Sequence, residues 1–301
     1  MHLNFIVSNF YKFKSFKKIE HLKDNVKKKI RKFDIKGTFL IGREGVNGSF
    51  SILKSQFKLI EKELNQLFND KLIFKNQFYN AHAFLRLKVK LKNEIVTIGD
   101  KKVNPNILSG KHLTPKKWDE LITKKDVMLI DTRNHYESEI GTFKNSIKVN
   151  SKNFREFPKW FDENKKRFSN KKIAMFCTGG IRCEKASNLV ISKGYKQVYQ
   201  LNGGIINYLD ETKNRNNLWK GDCFVFDERV SINNELKKGD YSQCFACRTP
   251  ISADDQKSKY FKEGVSCPKC YKDKNKKQVD RYQERQKQIE IAKKKGIKHL
   301  G

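Results

Sequence analysis

The segment Ile173-Ala174-Met175-Phe176-Cys177-Thr178-Gly179-Gly180-Ile181-Arg182-Cys183-Glu184-Lys185-Ala186 constrains the fold more than any other part of the chain. A short apolar run without polar alternation marks a strand buried on both faces, and such strands belong to parallel sheets covered by helices. The run ends in a cysteine, turns through two glycines and continues into helix-compatible sequence. In a doubly wound sheet, ligands bind at the carboxyl ends of the strands. Loop glycines let backbone N–H groups point inward, and the N-terminus of the following helix adds positive potential. Both lower a thiol pKa and favour a thiolate. The same loop cradles an anion carried on the sulfur, such as a persulfide or an oxyanion. The bland alternative is that Cys177 is a small buried hydrophobe.

The flanking sequence supports a doubly wound α/β domain over 113–212. An apolar strand at 127–130 precedes a helix at 154–167, a strand at 172–176, a helix at 182–192 and a strand at 197–199. Residues 1–95 read as an α+β unit with strands at 4–13, 38–41, 49–53 and 83–91 and helices at 24–33 and 56–68. The second helix carries the stripe Phe57, Ile60, Leu64 and Leu67. This βαββαβ order predicts a ferredoxin-like fold, which says little about function. The Gly-rich run GREGVNG at 42–48 lacks the Lys-Ser/Thr of a phosphate loop and reads as a hairpin or bulge. Residues 96–112 are a connection. Residues 213–301 form a small cysteine-rich module whose charged end, 272–301, reads as a solvated helix or a flexible tail.

All seven cysteines lie beyond residue 176, at Cys177, Cys183, Cys223, Cys244, Cys247, Cys267 and Cys270. The odd count and the chain length argue against a disulfide framework. Cys244-x2-Cys247 and Cys267-x2-Cys270, with 19 residues between the pairs, have the spacing of a four-cysteine zinc site. A redox dithiol is the alternative. With four protein ligands the zinc would be structural. Cys223 stands alone and is expected to be buried. His82, His112 and His135 share no metal spacing and read as solvated or satisfied.

The 301 residues carry 65 Lys plus Arg against 33 Asp plus Glu, a formal charge of +32. A polyanion such as nucleic acid is the simplest partner for that charge. Yet 53 of the basic residues are Lys and 12 are Arg, and coding bias gives the same pattern. The charge is spread evenly, at +12, +11 and +9 over 1–100, 101–210 and 211–301, so it names no binding face. With 37% hydrophobic and 12% aromatic residues the chain can build cores for two or three domains. No apolar run suffices to span a bilayer, and the first 14 residues do not resemble a secretory signal. A soluble cytoplasmic protein without a membrane partner is expected.

Further residues carry a family resemblance. The Cys177 loop, Asp131-Thr132-Arg133-Asn134-His135-Tyr136-Glu137, Gly141-Thr142-Phe143 with Ser146-Ile147, and Leu201-Asn202-Gly203-Gly204-Ile205 resemble the rhodanese signature. The chain departs from it at Thr142, where many members carry His, and at Lys144-Asn145-Ser146. Phosphatases of the superfamily need Cys-x5-Arg. That position holds Cys183 here, with Arg182 one step earlier, so the loop resembles sulfurtransferase-type members. Adding 42–49, 94–99, 221–227, 244–248 and 285–289, nearly the whole chain is similar to the bacterial rhodanese-related tRNA uridine hydroxylases. That resemblance implies hydroxylation of C5 of the wobble uridine, position 34, with molecular oxygen as co-substrate and tRNA as partner. It implies a catalytic, persulfide-forming Cys177 in a loop of Thr178, Gly179, Gly180, Ile181 and Arg182. Attack of the sulfur on C6 would make C5 electron-rich. No flavin or nicotinamide motif is visible.

Roles for the neighbours stay open at this level. Cys183 is either a resolving thiol or a packed helix residue. Arg182 either steers anions at the loop rim or caps and solvates. Asp131 and Arg133 either orient the loop or hold the strand end. Arg43 and Asn47 are candidates to face substrate or RNA. The runner-up function is a sulfurtransferase carrying persulfide sulfur on Cys177. A third is a non-catalytic RNA-binding scaffold, against which the retained cysteine loop argues.

Overall fold

The computed structural model describes residues 3–297. Strand β1 (Phe5–Phe13), helix α1 (Ile19–Ile30), strands β2 (Ile35–Gly42) and β3 (Gly45–Leu53), helix α2 (Phe57–Phe68) and strand β4 (Lys75–Tyr79) follow one another as βαββαβ. The sheet order β4-β1-β3-β2, with antiparallel neighbours, is ferredoxin-like. The closing strand is not at 83–91 as expected. It is Lys75-Asn76-Gln77-Phe78-Tyr79, in which only Gln77 is buried, so it lacks the apolar alternation that marks a strand in sequence. Strand β5 (Leu87–Leu91) instead extends the sheet, lying parallel to β2. Helix α1 begins earlier than predicted because Ile19 is buried together with Val26 and Ile30. Helix α2 buries Phe57, Ile60, Leu64 and Phe68, while Leu67 packs at the margin. The GREGVNG run is the β2–β3 hairpin, closed by Gly42 opposite Gly45.

A second sheet is parallel throughout. It takes β6 (Lys111–Leu113), β7 (Val127–Asp131), β9 (Ile147–Lys148), β10 (Lys172–Phe176) and β11 (Val198–Leu201) in the order β6-β11-β10-β7-β9. Helices α3 (Pro115–Ile122), α4 (His135–Ser138), α5 (Phe157–Asn164), α6 (Ile181–Ser192) and α7 (Gly204–Thr212) connect and cover it, and β8 (Gly141–Phe143) lies outside it. Central strand β10 is buried on both faces. Ile173 and Met175 enter one core with Phe157 and Phe161, while Ala174 and Phe176 enter another with Trp118 and Trp219. The helix expected at 154–167 is shorter: Pro158 helps to start α5, and 3-10 turns at Phe154–Glu156 and Lys165–Phe168 flank it.

Beyond α7 the chain forms small antiparallel ribbons. Strand β12 (Trp219–Gly221) pairs with β8, β13 (Cys223–Phe224) with β14 (Ser231–Ile232), and β15 (Ser242–Gln243) with β16 (Pro250–Ile251). Helices α8 (Ala253–Lys257) and α9 (Lys276–Lys294) complete the module. Only Gln286 of α9 is buried, so this part of the charged tail is a solvated helix. The end of that tail, 298–301, lies outside the described residues. Among the described residues no helix is long and apolar enough to cross a membrane.

Candidate active site

Cys177 follows the last residue of β10 and is fully buried. The start of α7 grips the loop from behind: Ile205 N–H donates to the Cys177 carbonyl at 3.0 Å and Ile206 N–H to that of Thr178 at 3.1 Å. This approach requires glycine at 204, where φ is +69° and a Cβ would sit 2.5 Å from the Cys177 carbonyl oxygen. Gly180, at φ +97°, caps α6 and donates its N–H to Cys177 Sγ at 3.1 Å. Burial alone would raise the Cys177 pKa. Against that, the Cys183 thiol donates a hydrogen bond, Arg182 supplies positive charge, and the Cys183 and Arg182 N–H groups face the sulfur. Together they bring it down to about 5, so the group is a thiolate at neutral pH. Cys183 moves the other way, pushed well up by burial first and by Cys177 second, and stays a thiol. It is packed in the first turn of α6, its Sγ 3.6 Å from Thr132 Oγ1.

Arg182 does not stand at a solvated rim. It is buried and forms a bidentate pair with the fully buried Glu137, at 2.6 and 2.7 Å, and Thr178 Oγ1 lies 3.4 Å from the same carboxylate. Glu137 also accepts from the Asn134 N–H, closing a capping box on α4. Asp131 and Arg133 make their own buried bidentate pair at 2.9 and 2.6 Å. Arg133 donates onward to the carbonyls of Glu137 and Gly141, not to the Cys177 loop. Asp131 and Arg133 therefore hold the segment that presents Glu137 and do not orient the loop directly.

The ferredoxin-like unit docks on this loop. Tyr11 Oη donates to Glu184 Oε1 at 2.9 Å, a carboxylate that also meets His112 Nε2 at 2.9 Å and Gln200 Nε2 at 3.1 Å. Lys75 donates to the Gly179 carbonyl. Buried Lys185 bridges Glu44 of the hairpin and Glu94 at 2.8 and 2.6 Å. His112 is thus a satisfied histidine, with a pKa raised by its bond to Glu184. Asn47 donates to the Ile95 carbonyl at 3.2 Å and lines the cavity described next. Arg43 is exposed on the hairpin turn and does not line that cavity.

A cavity of about 900 Å3 opens over Cys177 between the two sheets and the C-terminal module. Phe226 and Phe245, 61% and 48% exposed, line it together with the cations Arg86, Lys88 and Arg248. The pKa of Lys88 is lowered, by burial first and then by Arg86, Lys90 and Arg248, the signature of cations crowded together. Phe245 lies between two cysteines of the CxxC cluster, with the Arg248 guanidinium 5.5 Å from its ring. The thiol sulfurs of Cys244, Cys247, Cys267 and Cys270 all lie within 4.8 Å of one another. Separations of 3.8 Å for Cys247–Cys267 and Cys267–Cys270 match the edges of a tetrahedron with metal–sulfur bonds of about 2.3 Å. These four residues could hold a metal such as zinc. Cys223 is buried, and its pKa is pushed up to about 12 by that burial.

Ser51, His82 and Asp34 also stand in a row, at 2.9 and 3.1 Å. Ser51 is fully buried, accepts the Ala83 N–H and does not line the cavity, so the row anchors the chain at 82–83.

Residues 5–95 match the family model described as the UPF0176 acylphosphatase-like domain, and 114–211 match the rhodanese-like domain. The chain joins these two domains in the architecture of the UPF0176 rhodanese family. Among solved structures it is similar to a rhodanese-related protein from Thermoplasma volcanium, with 24% identity over 34% of this chain and 92% of that one, at a TM-score of 0.28. A Rhodopseudomonas palustris protein described as a possible tyrosine phosphatase is 25% identical over 36% and 84%, at 0.31. A NAD-dependent persulfide reductase from A. fulgidus is 14% identical over 67% and 37%, at 0.30. At such TM-scores these likenesses carry no argument, and the family rests on the two domain matches.

In this UPF0176 rhodanese the sequence singled out the sulfur and its loop but not the groups that come from outside the loop. Tyr11 and Lys75 sit in another domain and give no local signal. Glu137 was visible only as one letter of a signature. It sits in α4, four positions beyond Arg133 and past the end of β7, where its letter alone does not mark it as a buried ion-pair partner.

Proposed function

We propose that this protein hydroxylates C5 of the wobble uridine of tRNA, with Cys177 as the nucleophile. The observation that supports this reading best is the cavity: an anionic sulfur lies at its floor, and exposed aromatic rings and crowded cations line its walls. Unpaired bases stack on aromatic rings, and phosphates draw cations. Phe226 and Phe245 would take the base faces, and Arg86, Lys88 and Arg248 the backbone. Attack of the Cys177 thiolate on C6 forms an S–C6 bond and pushes electron density to C5. C5 then bonds one atom of molecular oxygen. The other atom leaves as water, with two electrons supplied by a reductant of the thiol class. Loss of the C5 proton and expulsion of Cys177 restore the ring. The four thiolates of the CxxC cluster would hold a structural zinc that fixes Phe245 and Arg248 over the cavity.

One feature favours a second reading. The Gly180 N–H and the start of α6 face the sulfur, a geometry that also suits a persulfide carried to an acceptor. Deleting the gene and measuring tRNA nucleosides by mass spectrometry separates the two. The first reading requires loss of 5-hydroxyuridine and its 5-alkoxy derivatives, restored by the wild-type gene and not by Cys177→Ser. Loss of thiolated nucleosides instead would establish the second.

A further inference from the structure

We propose that Lys75, carried by edge strand β4 of the ferredoxin-like unit, is a positioning residue for Cys177: its ammonium group holds the Gly179 carbonyl and sets a positive charge beside the sulfur. The proposal rests on Cys177 being the reacting group. Lys75 projects from one domain into the loop of another. Its Nζ donates to the Gly179 carbonyl, lies 5.3 Å from the Tyr11 ring centroid and lines the cavity that Cys177 floors. A Cβ on Gly203 would meet its Cε at 3.1 Å, so the side chain is wedged between the Cys177 loop and the turn before α7.

The groups around it leave the thiolate as its counter-charge. Tyr11 on β1 and Cys183 on α6 both have pKa values raised well above their ordinary ranges, by burial first, and are neutral. Glu184 on α6 is ionised, but it already accepts from Tyr11, His112 of β6 and Gln200 of β11. Of the charges that act on Lys75, Cys177 is the largest and Glu184 comes second. Burial lowers Lys75 itself to about 8. Below that pH the ammonium stabilises the thiolate; above it the charge is gone and the sulfur becomes a stronger base. The ferredoxin-like unit is on this account a component of the reactive centre.

The test is the pH profile of Cys177 alkylation by iodoacetamide in the intact protein without RNA. The thiolate displaces iodide and forms an S–C bond. Trypsin releases residues 173–182, which contain Cys177 as their one cysteine, so mass spectrometry reads this site alone. Wild-type protein is expected to show a rise near pH 5 and a second near pH 8. The second should be about threefold for each pKa unit by which the thiolate's basicity increases. Lys75→Met, which keeps length and loses charge and donor, should move the lower rise to higher pH and abolish the upper one. Lys75→Arg, which stays charged throughout, should keep the lower rise and lose the upper, and it carries the test alone should the Met variant not fold. A lower rise unmoved in Lys75→Met, or an upper rise retained in Lys75→Arg, overturns the proposal. Because no RNA is present, failure of the hydroxylase reading leaves this result untouched.

Discussion

Breaking the Arg182–Glu137 pair from either side should damage stability alike and Cys177 chemistry oppositely. Both side chains are buried and the pair is bidentate at 2.6 and 2.7 Å. Removing one partner of such a pair leaves an uncompensated buried charge, at a cost of about 3–5 kcal/mol. At about 2–4 °C per kcal/mol this is a fall in Tm of roughly 6–20 °C. Arg182→Met strands the Glu137 carboxylate with Thr178 and the Asn134 N–H as its remaining partners. It also removes one of the charges that hold Cys177 at about 5, so the pH midpoint of Cys177 alkylation should rise. Glu137→Gln costs stability too, but leaves the Arg182 charge free to act on the sulfur, so the midpoint should stay or fall. A thiol depressed in the folded state contributes stability above its unfolded pKa, which is lost as pH falls through about 5. Arg182→Met shrinks that contribution and raises the lower limit of the window. The assays are thermal melting against pH and alkylation of Cys177, read on the 173–182 peptide for Glu137→Gln and, for Arg182→Met, which loses that cleavage site, on the 173–185 peptide with fragmentation separating Cys177 from Cys183. A loss under about 1 kcal/mol for both variants, as at an exposed pair, or midpoints that move together, would refute the argument.

Gly204→Ala should unfold the loop region, because its Cβ would lie 2.5 Å from the Cys177 carbonyl and 2.7 Å from the Gly180 nitrogen at a left-handed φ; a Tm within a few degrees of wild type would contradict this. Phe245→Ala should weaken tRNA binding by about 1–3 kcal/mol in filter binding without changing the salt slope, whereas Arg248→Gln should lower that slope by about one. Equal effects of the two on slope would count against separate base and phosphate roles. Metal analysis should find about one zinc per chain, and Cys267→Ser should lose both the metal and, through Phe245, part of the tRNA affinity. Active protein free of metal would end the zinc assignment.

The parts of this fold that were legible in sequence are those where one element writes its own pattern. Strand β10 is apolar because both of its faces are covered. Helix α2 shows its stripe because it packs on one sheet face. The two CxxC pairs announce themselves because the ligands of each pair are three residues apart. Strand β4 was not legible: its exposed, polar edge position removes the alternation, and its one decisive side chain, Lys75, has its partner 104 residues away. The reading of Arg182 at a rim failed for the same reason. A charged residue after a glycine loop looks solvent-facing until the fold brings a buried carboxylate from α4. The charge of +32 named no face in sequence, and in the structure six of its cations line the cavity, among them Lys88 of β5, Arg86 before it and Arg248 of the CxxC knuckle.

The most direct measurement is isotopic. Purified protein is given tRNA lacking the modification, a thiol reductant and oxygen-18 gas, and the nucleosides are analysed by mass spectrometry. The account predicts one heavy oxygen at C5 of the wobble uridine with wild-type protein and none with Cys177→Ser. Wild-type turnover that leaves uridine unlabelled, or equal labelling with Cys177→Ser, would contradict it.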